Sequence, residues 1–300
     1  MSEAGGGKLA EILAKKRAAR EKAREEDNVS ISRNASSNVD QNESEDDERR
    51  SLSHTSGSYE HSERSRTGGF VNMSLSQVED LTRVAQGGLG ILYQGIWRGT
   101  VVAVKKPVDP RVANDPALKE DFRREVEILS EIRHPNVVLL MGACLQGTGL
   151  CIVLEWCQGG SLYDVLHRRR VDMNNHQRVK IARGVACGLA FLHTASPAII
   201  HRDLKTQNIL LDETLSAPKL CDFGLAIRLS DSYVTNAQAG TPSYMAPELY
   251  RGEACSLASD VYAFGIVLSE IFSQELPFAA LELSEIREKE GDGGWEAGGL

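Results

Sequence analysis

The sequence lacks the features that would place the chain in or across a membrane. No apolar run is as long as the roughly 18 residues that a membrane-spanning helix requires. The start, Met-Ser-Glu, does not begin an apolar signal-peptide region, and Ser2 stands where N-myristoylation requires glycine. We therefore expect a cytoplasmic protein with no membrane span.

The sequence also lacks a Cys-x-x-Cys pair and an excess of positive charge. Its six cysteines are scattered through the apolar part of the chain: Cys144, Cys151, Cys157, Cys187, Cys221 and Cys255. We interpret them as buried free thiols in a reducing compartment. The 34 Lys and Arg against 42 Asp and Glu give a net charge of −8, which argues against a nucleic-acid partner, since such proteins usually present a basic face.

Large apolar residues are scarce in the N-terminal extension, residues 1–69. Within residues 27–68, which are rich in serine and charge, Leu52 is the only leucine. Such a segment buries too little surface to offset the entropy lost on ordering, which predicts a disordered linker. Residues 8–26 (KLAEILAKKRAAREKAREE) are strong helix formers and predict a short helix. That helix is either solvated or a docking element for an unknown partner.

Apolar periodicity begins near Phe70, where we place the folded domain. Residues 81–106 alternate and turn like three antiparallel strands, and residues 115–133 predict a helix with Pro116 in its first turn. Residues 137–143 and 150–155 are apolar and strand-like.

From about Gly160 the pattern becomes mainly helical. Residues 259–271 (SDVYAFGIVLSEI) are apolar nearly all round, which predicts a buried central helix. The sequence therefore predicts an α+β fold in which a small strand-rich part precedes a larger, mainly helical part.

A glycine-rich loop, AQGGLGIL at residues 85–92, lies between the first two predicted strands. Glycines let the backbone approach phosphate groups closely. A strand, 91–97, follows this loop, whereas a dinucleotide-binding loop is followed directly by a helix. The loop alone is compatible with an ordinary hairpin or with a phosphate-covering loop.

Lys105 and Glu125 are two charges in apolar surroundings. The two-residue period of a strand places Ala103 and Lys105 on one face, where a flat base could stack beside a phosphate tail. Glu125 falls on the apolar stripe of the predicted helix and requires a cationic partner there. Lys105 is the candidate for that cationic partner. In the alternative interpretation, Lys105 ends a strand at the surface and Glu125 is exposed to water.

Three further motifs follow in a fixed order. They are HRDLKTQN at 201–208, DFG at 222–224 and APE at 246–248, with Asp222 fourteen residues after Asn208. Behind a glycine loop and a strand lysine, this order and spacing resemble the protein-kinase signature set.

The resemblance extends from residue 78 to about 280. HPNVV at 134–138, LMGAC at 140–144, WC at 156–157 and GSL at 160–162 are similar to Raf-like and mixed-lineage-like Ser/Thr kinases of the tyrosine-kinase-like group. This resemblance implies a bilobal kinase fold, with an antiparallel sheet and one helix in the N-lobe and a mainly helical C-lobe. It also implies ATP and Mg²⁺ as cofactors and a protein substrate with a Ser or Thr acceptor.

The resemblance implies roles for the catalytic residues. Asp203 would orient the acceptor hydroxyl and take its proton, Lys205 would contact the moving phosphoryl group, and Asn208 and Asp222 would hold Mg²⁺. Lys105 would bind the α- and β-phosphates and pair with Glu125.

The nucleotide site is implied in the same way. Leu154 would be the gatekeeper, and the backbone of Glu155 and Cys157 would form hydrogen bonds to the edge of the adenine base. Ala103, Leu92 and Leu210 would enclose the adenine ring. The implied contacts are Val84, Ala85, Gln86, Gly87, Gly88, Leu89, Gly90, Leu92, Ala103, Lys105, Leu154, Glu155, Cys157, Leu210 and Asp222.

The resemblance also implies a means of regulation. Arg202 beside Asp203 suggests activation by a phosphate on the following loop, because an arginine there favours an anion. The candidate acceptors, unless they are ordinary loop hydroxyls, are Ser230, Ser232 and Thr235. Thr241 is expected to contact Asp203 and Lys205.

The sequence departs from the family in two places. Ala85 replaces the usual first glycine of the loop, and the last ten residues, 291–300, with five glycines, do not resemble a kinase helix. We interpret the C-lobe as truncated after the central helix. The chain would then be a truncated gene model, a splice form or a fragment. Glu248 should then lack its usual arginine partner, which would loosen the substrate platform.

Two functions remain after these departures. The first is an active Ser/Thr kinase in intracellular signalling, and the second is a catalytically impaired, nucleotide-binding scaffold. A nucleotide-binding oxidoreductase would need a parallel sheet, which the predicted hairpins disfavour.

Overall fold

A computed structural model describes residues 71–87, 90–108, 116–145, 149–230 and 240–279 of the 300-residue chain. The predicted helix at 8–26, the predicted linker and the tail at 281–300 lie outside the described residues. So do four candidate site residues, Gly88, Leu89, Ser232 and Thr235.

A six-stranded sheet forms the N-terminal lobe. Its strands are β1 (Val71–Asn72), β2 (Val78–Gly87), β3 (Gly90–Trp97), β4 (Thr100–Lys106), β5 (Leu140–Cys144) and β6 (Cys151–Glu155), in the order β1-β5-β6-β4-β3-β2. The three predicted strands β2–β4 are confirmed as consecutive antiparallel neighbours. The two-residue β1, too short to show a periodic pattern, was not predicted and pairs parallel to β5.

The strand predicted at 137–143 begins later than expected, at Leu140. Val137 instead forms a bridge to Leu220, and the Val138 N–H donates to the Leu220 carbonyl at 2.9 Å. Both valines are buried, so their apolar character reflects packing between the lobes rather than membership of β5.

One helix, α1 (Pro116–Glu131), packs against the sheet. Phe122, Val126 and Leu129 are buried on its inner face and share a core with Ala103 and with the C-terminal lobe. Strand β4 alternates as expected, since Val102 and Val104 belong to a second cluster on the opposite face of the sheet.

The C-terminal lobe is mainly helical. Its helices are α2 (Asn175–Thr194), α3 (Pro247–Tyr250) and α4 (Leu257–Ser273), with a π-helical turn at Asp164–Arg168. Its short strands are β7 (Gly160–Ser161), β8 (Ile199–Ile200), β9 (Ile209–Leu211), β10 (Pro218–Leu220) and β11 (Ile227–Arg228). Helix α2 begins at a capping box in which the side chains and backbone N–H groups of Asn174 and Gln177 bond reciprocally. The fold is α+β, as the sequence predicts.

Helix α4 is not buried all round, and that prediction was wrong. Ala263, Val267 and Ile271 are buried, but Val261 is 55 % exposed, and Phe272, just past the predicted segment, is 46 % exposed. Only one face of the helix packs against its neighbours, so its composition overstated its burial. None of the helices in the described residues combines the length and apolarity that a membrane crossing needs.

All six cysteines are free thiols, but their predicted burial holds only in part. Cys151, Cys157 and Cys255 are buried, and Cys144 and Cys221 are partly exposed. Cys187 is exposed, which corrects the expectation for that residue. It lies on the solvent side of α2, a position that its chemistry alone does not reveal.

Two helical glycines give opposite predictions. A Cβ added at Gly188 of α2 would lie 2.8 Å from the Asn136 carbonyl oxygen, whereas one added at Gly265 of α4 would meet nothing within 4 Å. We expect Gly188→Ala to lower the free energy of unfolding by about 1–3 kcal/mol through overpacking. The control Gly265→Ala should raise it by about 0.5–1 kcal/mol, since alanine favours helix. Urea unfolding measures both, and a stabilised Gly188→Ala would contradict this packing.

Candidate active site

Lys105 lies between two carboxylates. Its Nζ is 2.8 Å and 2.9 Å from the two carboxylate oxygens of Glu125 on α1, and 2.7 Å from Oδ1 of Asp222. The side chains of Lys105 and Glu125 are only 13 % and 4 % exposed. Lys105 therefore does not end a surface strand, and Glu125 does not lie in water.

The electrostatics of this cluster favour a charged lysine. Burial lowers the pKa of Lys105, but the charges of Asp222 and Glu125 outweigh burial and hold it above its usual value. Burial raises the pKa of Asp222, yet the Lys105 charge outweighs burial and holds it below the usual range. The ammonium group and the Asp222 carboxylate are therefore both charged at neutral pH.

A second cluster surrounds Asp203, which is 7 % exposed. Lys205 Nζ donates to Asp203 Oδ2 at 2.7 Å and to Thr241 Oγ1 at 2.6 Å, and Thr241 Oγ1 donates to Asp203 Oδ1 at 2.7 Å. Asn208 Nδ2 donates to Asp203 Oδ2 at 3.0 Å and to its carbonyl at 2.8 Å. Both contacts expected of Thr241 are present, and the carboxylate is held in one orientation.

The backbone just before Asp203 is anchored to helix α4. The Asp260 carboxylate of α4 accepts the N–H groups of His201 and Arg202 at 2.8 Å and 2.9 Å. The His201 ring lies 5.0 Å from the Phe223 ring and donates from Nε2 to the Cys221 carbonyl at 3.0 Å. The segments before Asp203 and Asp222 are thus tied to each other and to α4.

Three of the predicted adenine-site residues lie on strands of two different sheets. Ala103 lies opposite Leu154 in the β4–β6 pairing, and Leu210 lies opposite Ser161 in the β9–β7 pairing. The Glu155 N–H donates to the Leu139 carbonyl at 3.0 Å, and its carboxylate pairs with Lys219 at 2.9 Å.

The glycine loop is only partly described. Ala85 pairs with Leu92 and Gln86 with Ile91 where β2 meets β3, and the Val84 side chain is 49 % exposed. A Cβ at Gly90 would lie 2.5 Å from the Lys106 carbonyl oxygen, so this close approach requires glycine. Among the candidate phosphorylation sites, Ser230 is exposed just after β11.

Within the described residues no salt bridge joins Glu248 to an arginine, but its carboxylate does have a hydrogen-bond donor. The Ser259 hydroxyl donates to Glu248 Oε1 at 2.6 Å. Ser259 lies in the first turn of α4, and its side chain also accepts from the Ser256 N–H in the capping box of that helix. The carboxylate of the APE motif is therefore held by α4.

Sequence reasoning missed a buried polar network centred on Glu270, which is 1 % exposed. Its carboxylate accepts from Thr206 Oγ1 at 2.7 Å, Tyr244 OH at 2.6 Å and His167 Nε2 at 2.7 Å. The signal that could have revealed it is a carboxylate near the end of an apolar helix, which requires donors. The network joins α4 to the residue after Lys205 and to the segment after Thr241.

Comparison with known proteins agrees with this geometry. The protein kinase domain family matches residues 78–294. The chain belongs to the protein kinase family.

Its relatives include Ser/Thr kinases from distant organisms. A probable serine/threonine-protein kinase of Dictyostelium discoideum is 42 % identical over 212 residues, covering 71 % of this chain and 23 % of that protein. The Arabidopsis thaliana kinases SIS8 and CTR1 are each 38 % identical, over 205 and 207 residues, covering 68 % of this chain and 20 % and 25 % of those proteins. The kinase chain thus spans a quarter or less of the length of these relatives.

The Glu270 network gives a prediction about stability. Glu270→Ala removes the acceptor of three donors in the interior, and we expect it to lower the free energy of unfolding by about 2–4 kcal/mol. The control Glu275→Ala, at an exposed carboxylate just beyond α4, should change it by less than about 0.5 kcal/mol. Urea unfolding of both variants compares them, and equal stability of the two would show that the network contributes nothing.

Proposed function

We propose that this kinase chain transfers the γ-phosphoryl group of Mg-ATP to Ser or Thr hydroxyls of protein substrates. The observation that carries the proposal is the Asp203 carboxylate, held by Lys205, Thr241 and Asn208. Phosphoryl transfer needs alignment of the hydroxyl and neutralisation of charge more than covalent chemistry. The oriented carboxylate would align the hydroxyl. The lysine paired with it would neutralise part of the charge.

Asp203 acts as the base in this proposal, and Lys205 contacts the phosphoryl group as it moves. Proton acceptance by a positioned carboxylate aligns the hydroxyl for attack. The Lys205 ammonium bridges Asp203 and Thr241, so its positive charge lies beside the base. The proton leaves the acceptor hydroxyl for a carboxylate oxygen that already accepts a hydrogen bond.

Asn208 and Asp222 fit the role of metal ligands. Carboxylate and amide oxygens are ligands that Mg²⁺ prefers, and it usually takes one or two carboxylates together with substrate phosphates. The Asn208 amide nitrogen donates to Asp203, which leaves its oxygen as the atom to face a cation. When bound, Mg²⁺ would neutralise phosphate charge.

The nucleotide would lie beside Lys105, which we propose binds the α- and β-phosphates. Its ammonium is held by Glu125 and Asp222 and is charged at neutral pH. The turn from Ala85 to Leu92 would cover the phosphates. Leu92, Ala103, Leu154 and Leu210, with the backbone of Glu155 and Cys157, would hold the base.

We assign the chain to the Raf-like branch of the tyrosine-kinase-like group, with a role in signalling. The similarity to the named Ser/Thr kinases and the Asp203–Lys205–Thr241 contacts support a Ser/Thr acceptor. Ser230 is our candidate for activating phosphorylation, since its exposure suits modification. The proposed organisation is an extension at 1–69, an N-lobe at 70–157, a C-lobe at 158–280 and a tail at 281–300.

The direct test is phosphate transfer from γ-labelled Mg-ATP to a generic Ser/Thr protein acceptor. Asp203→Asn keeps the shape of the side chain but removes the base, so we expect the rate to fall by about 10²–10⁴-fold. The control Asp172→Asn, at an exposed carboxylate, should transfer at the wild-type rate. Melting temperatures establish that both variants are folded.

Two results would contradict the proposal. Transfer that is unchanged in Asp203→Asn would remove Asp203 from the reaction. No transfer by the wild-type chain, with Mg-ATP still raising its melting temperature, would favour the nucleotide-binding scaffold.

A further inference from the structure

Two cysteines lie directly opposite each other on the N-terminal sheet. Cys144 is the last residue of β5, Cys151 is the first residue of β6, and the antiparallel register pairs them. Residues paired in this way have Cα atoms about 4.5–5.5 Å apart. That separation falls within the roughly 4.4–6.8 Å that a disulfide spans.

The two side chains project from the same face of the sheet. Both pack against the cluster that contains Val104 and Val153, on the face opposite the proposed nucleotide site. A Cβ added at Gly149 would lie 3.5 Å from Cys144 Sγ, which places that sulfur over the residues just before Cys151.

The two thiols differ in accessibility. Cys144 is partly exposed, whereas Cys151 is fully buried. Burial raises the pKa of the Cys151 thiol to about 11, so it is the weaker nucleophile toward a dissolved oxidant. A small oxidant therefore reaches Cys144 first, and Cys151 lies next to the product.

We propose that Cys144 and Cys151 are a redox modification site that hydrogen peroxide closes to a disulfide and a thiol reopens. The Cys144 thiolate attacks one oxygen of the peroxide, the O–O bond breaks, and hydroxide leaves a sulfenic acid on Cys144. The Cys151 sulfur then attacks the Cys144 sulfur, the S–O bond breaks, and the departing hydroxide takes the Cys151 proton. Two thiols and one peroxide give one disulfide and two water molecules.

The other cysteines lack this combination of features. Cys187 is exposed on a helix, and no strand register places a cysteine opposite it. Burial raises the pKa of Cys157 to about 12, and burial also raises the pKa of Cys221. The strand register therefore singles out one pair among the six thiols.

The test treats the reduced 300-residue chain with hydrogen peroxide, blocks the remaining thiols with N-ethylmaleimide, and maps non-reduced peptides by mass spectrometry. We expect an intramolecular Cys144–Cys151 link, a mass lower by two hydrogen atoms before blocking, and full reversal by dithiothreitol. Cys144→Ser and Cys151→Ser should each abolish the link, and Cys151→Ser should leave a sulfenic acid on Cys144 that dimedone traps. Cys187→Ser is the matched control and should keep the link.

A comparison of the wild-type chain in buffer and in urea does not depend on whether the variants fold. Because the fold holds the sulfurs together, the link should form at least about tenfold faster in the folded chain than in the urea-unfolded chain. Equal rates, a disulfide between other cysteines, or sulfinic acid on Cys144 without a link would overturn the proposal.

Discussion

The ion pairs of Lys105 are the constraint on which the rest of the site depends. One ammonium group joins strand β4 and the next helix, α1, to the segment that carries Asp222, which is 117 residues beyond Lys105 along the chain. Lys105 and Glu125 are buried and Asp222 is partly buried, and removing one partner of a buried pair costs about 3–5 kcal/mol. The position of α1 on the sheet and the position of Asp222 are therefore set together.

Helix α4 provides the corresponding support for the other half of the site. Asp260 in its first turn holds the backbone before Asp203, and Glu270 near its end holds Thr206 and Tyr244. Ser259, beside Asp260, holds Glu248. Carboxylates and a hydroxyl of one helix thus position both the loop around Asp203 and the segment that follows Thr241.

The sequence predicted the parts of the fold whose cause is local. Strands β2–β4 follow from alternation, and the Lys105–Glu125 pair follows from a carboxylate on an apolar stripe that needed a cation. The parallel β1, the partner of Glu248 and the donors to Glu270 depend on which surfaces meet in the folded chain, so no local pattern revealed them. The exposure of Val261 was missed for the same reason, since composition does not show which face of a helix is covered.

The central claim, that the paired Lys105 binds the nucleotide, is tested most directly by the affinity of Mg-ATP for two lysine variants measured by calorimetry. Lys105→Met should weaken binding by roughly 10–100-fold, the loss expected for a hydrogen bond to a charged group. Lys106→Met is the matched control, because Lys106 is the next residue of β4 and its ammonium lies over the Tyr93 ring. Lys106→Met should bind Mg-ATP with wild-type affinity, and equal affinities of the two variants would contradict nucleotide binding by Lys105.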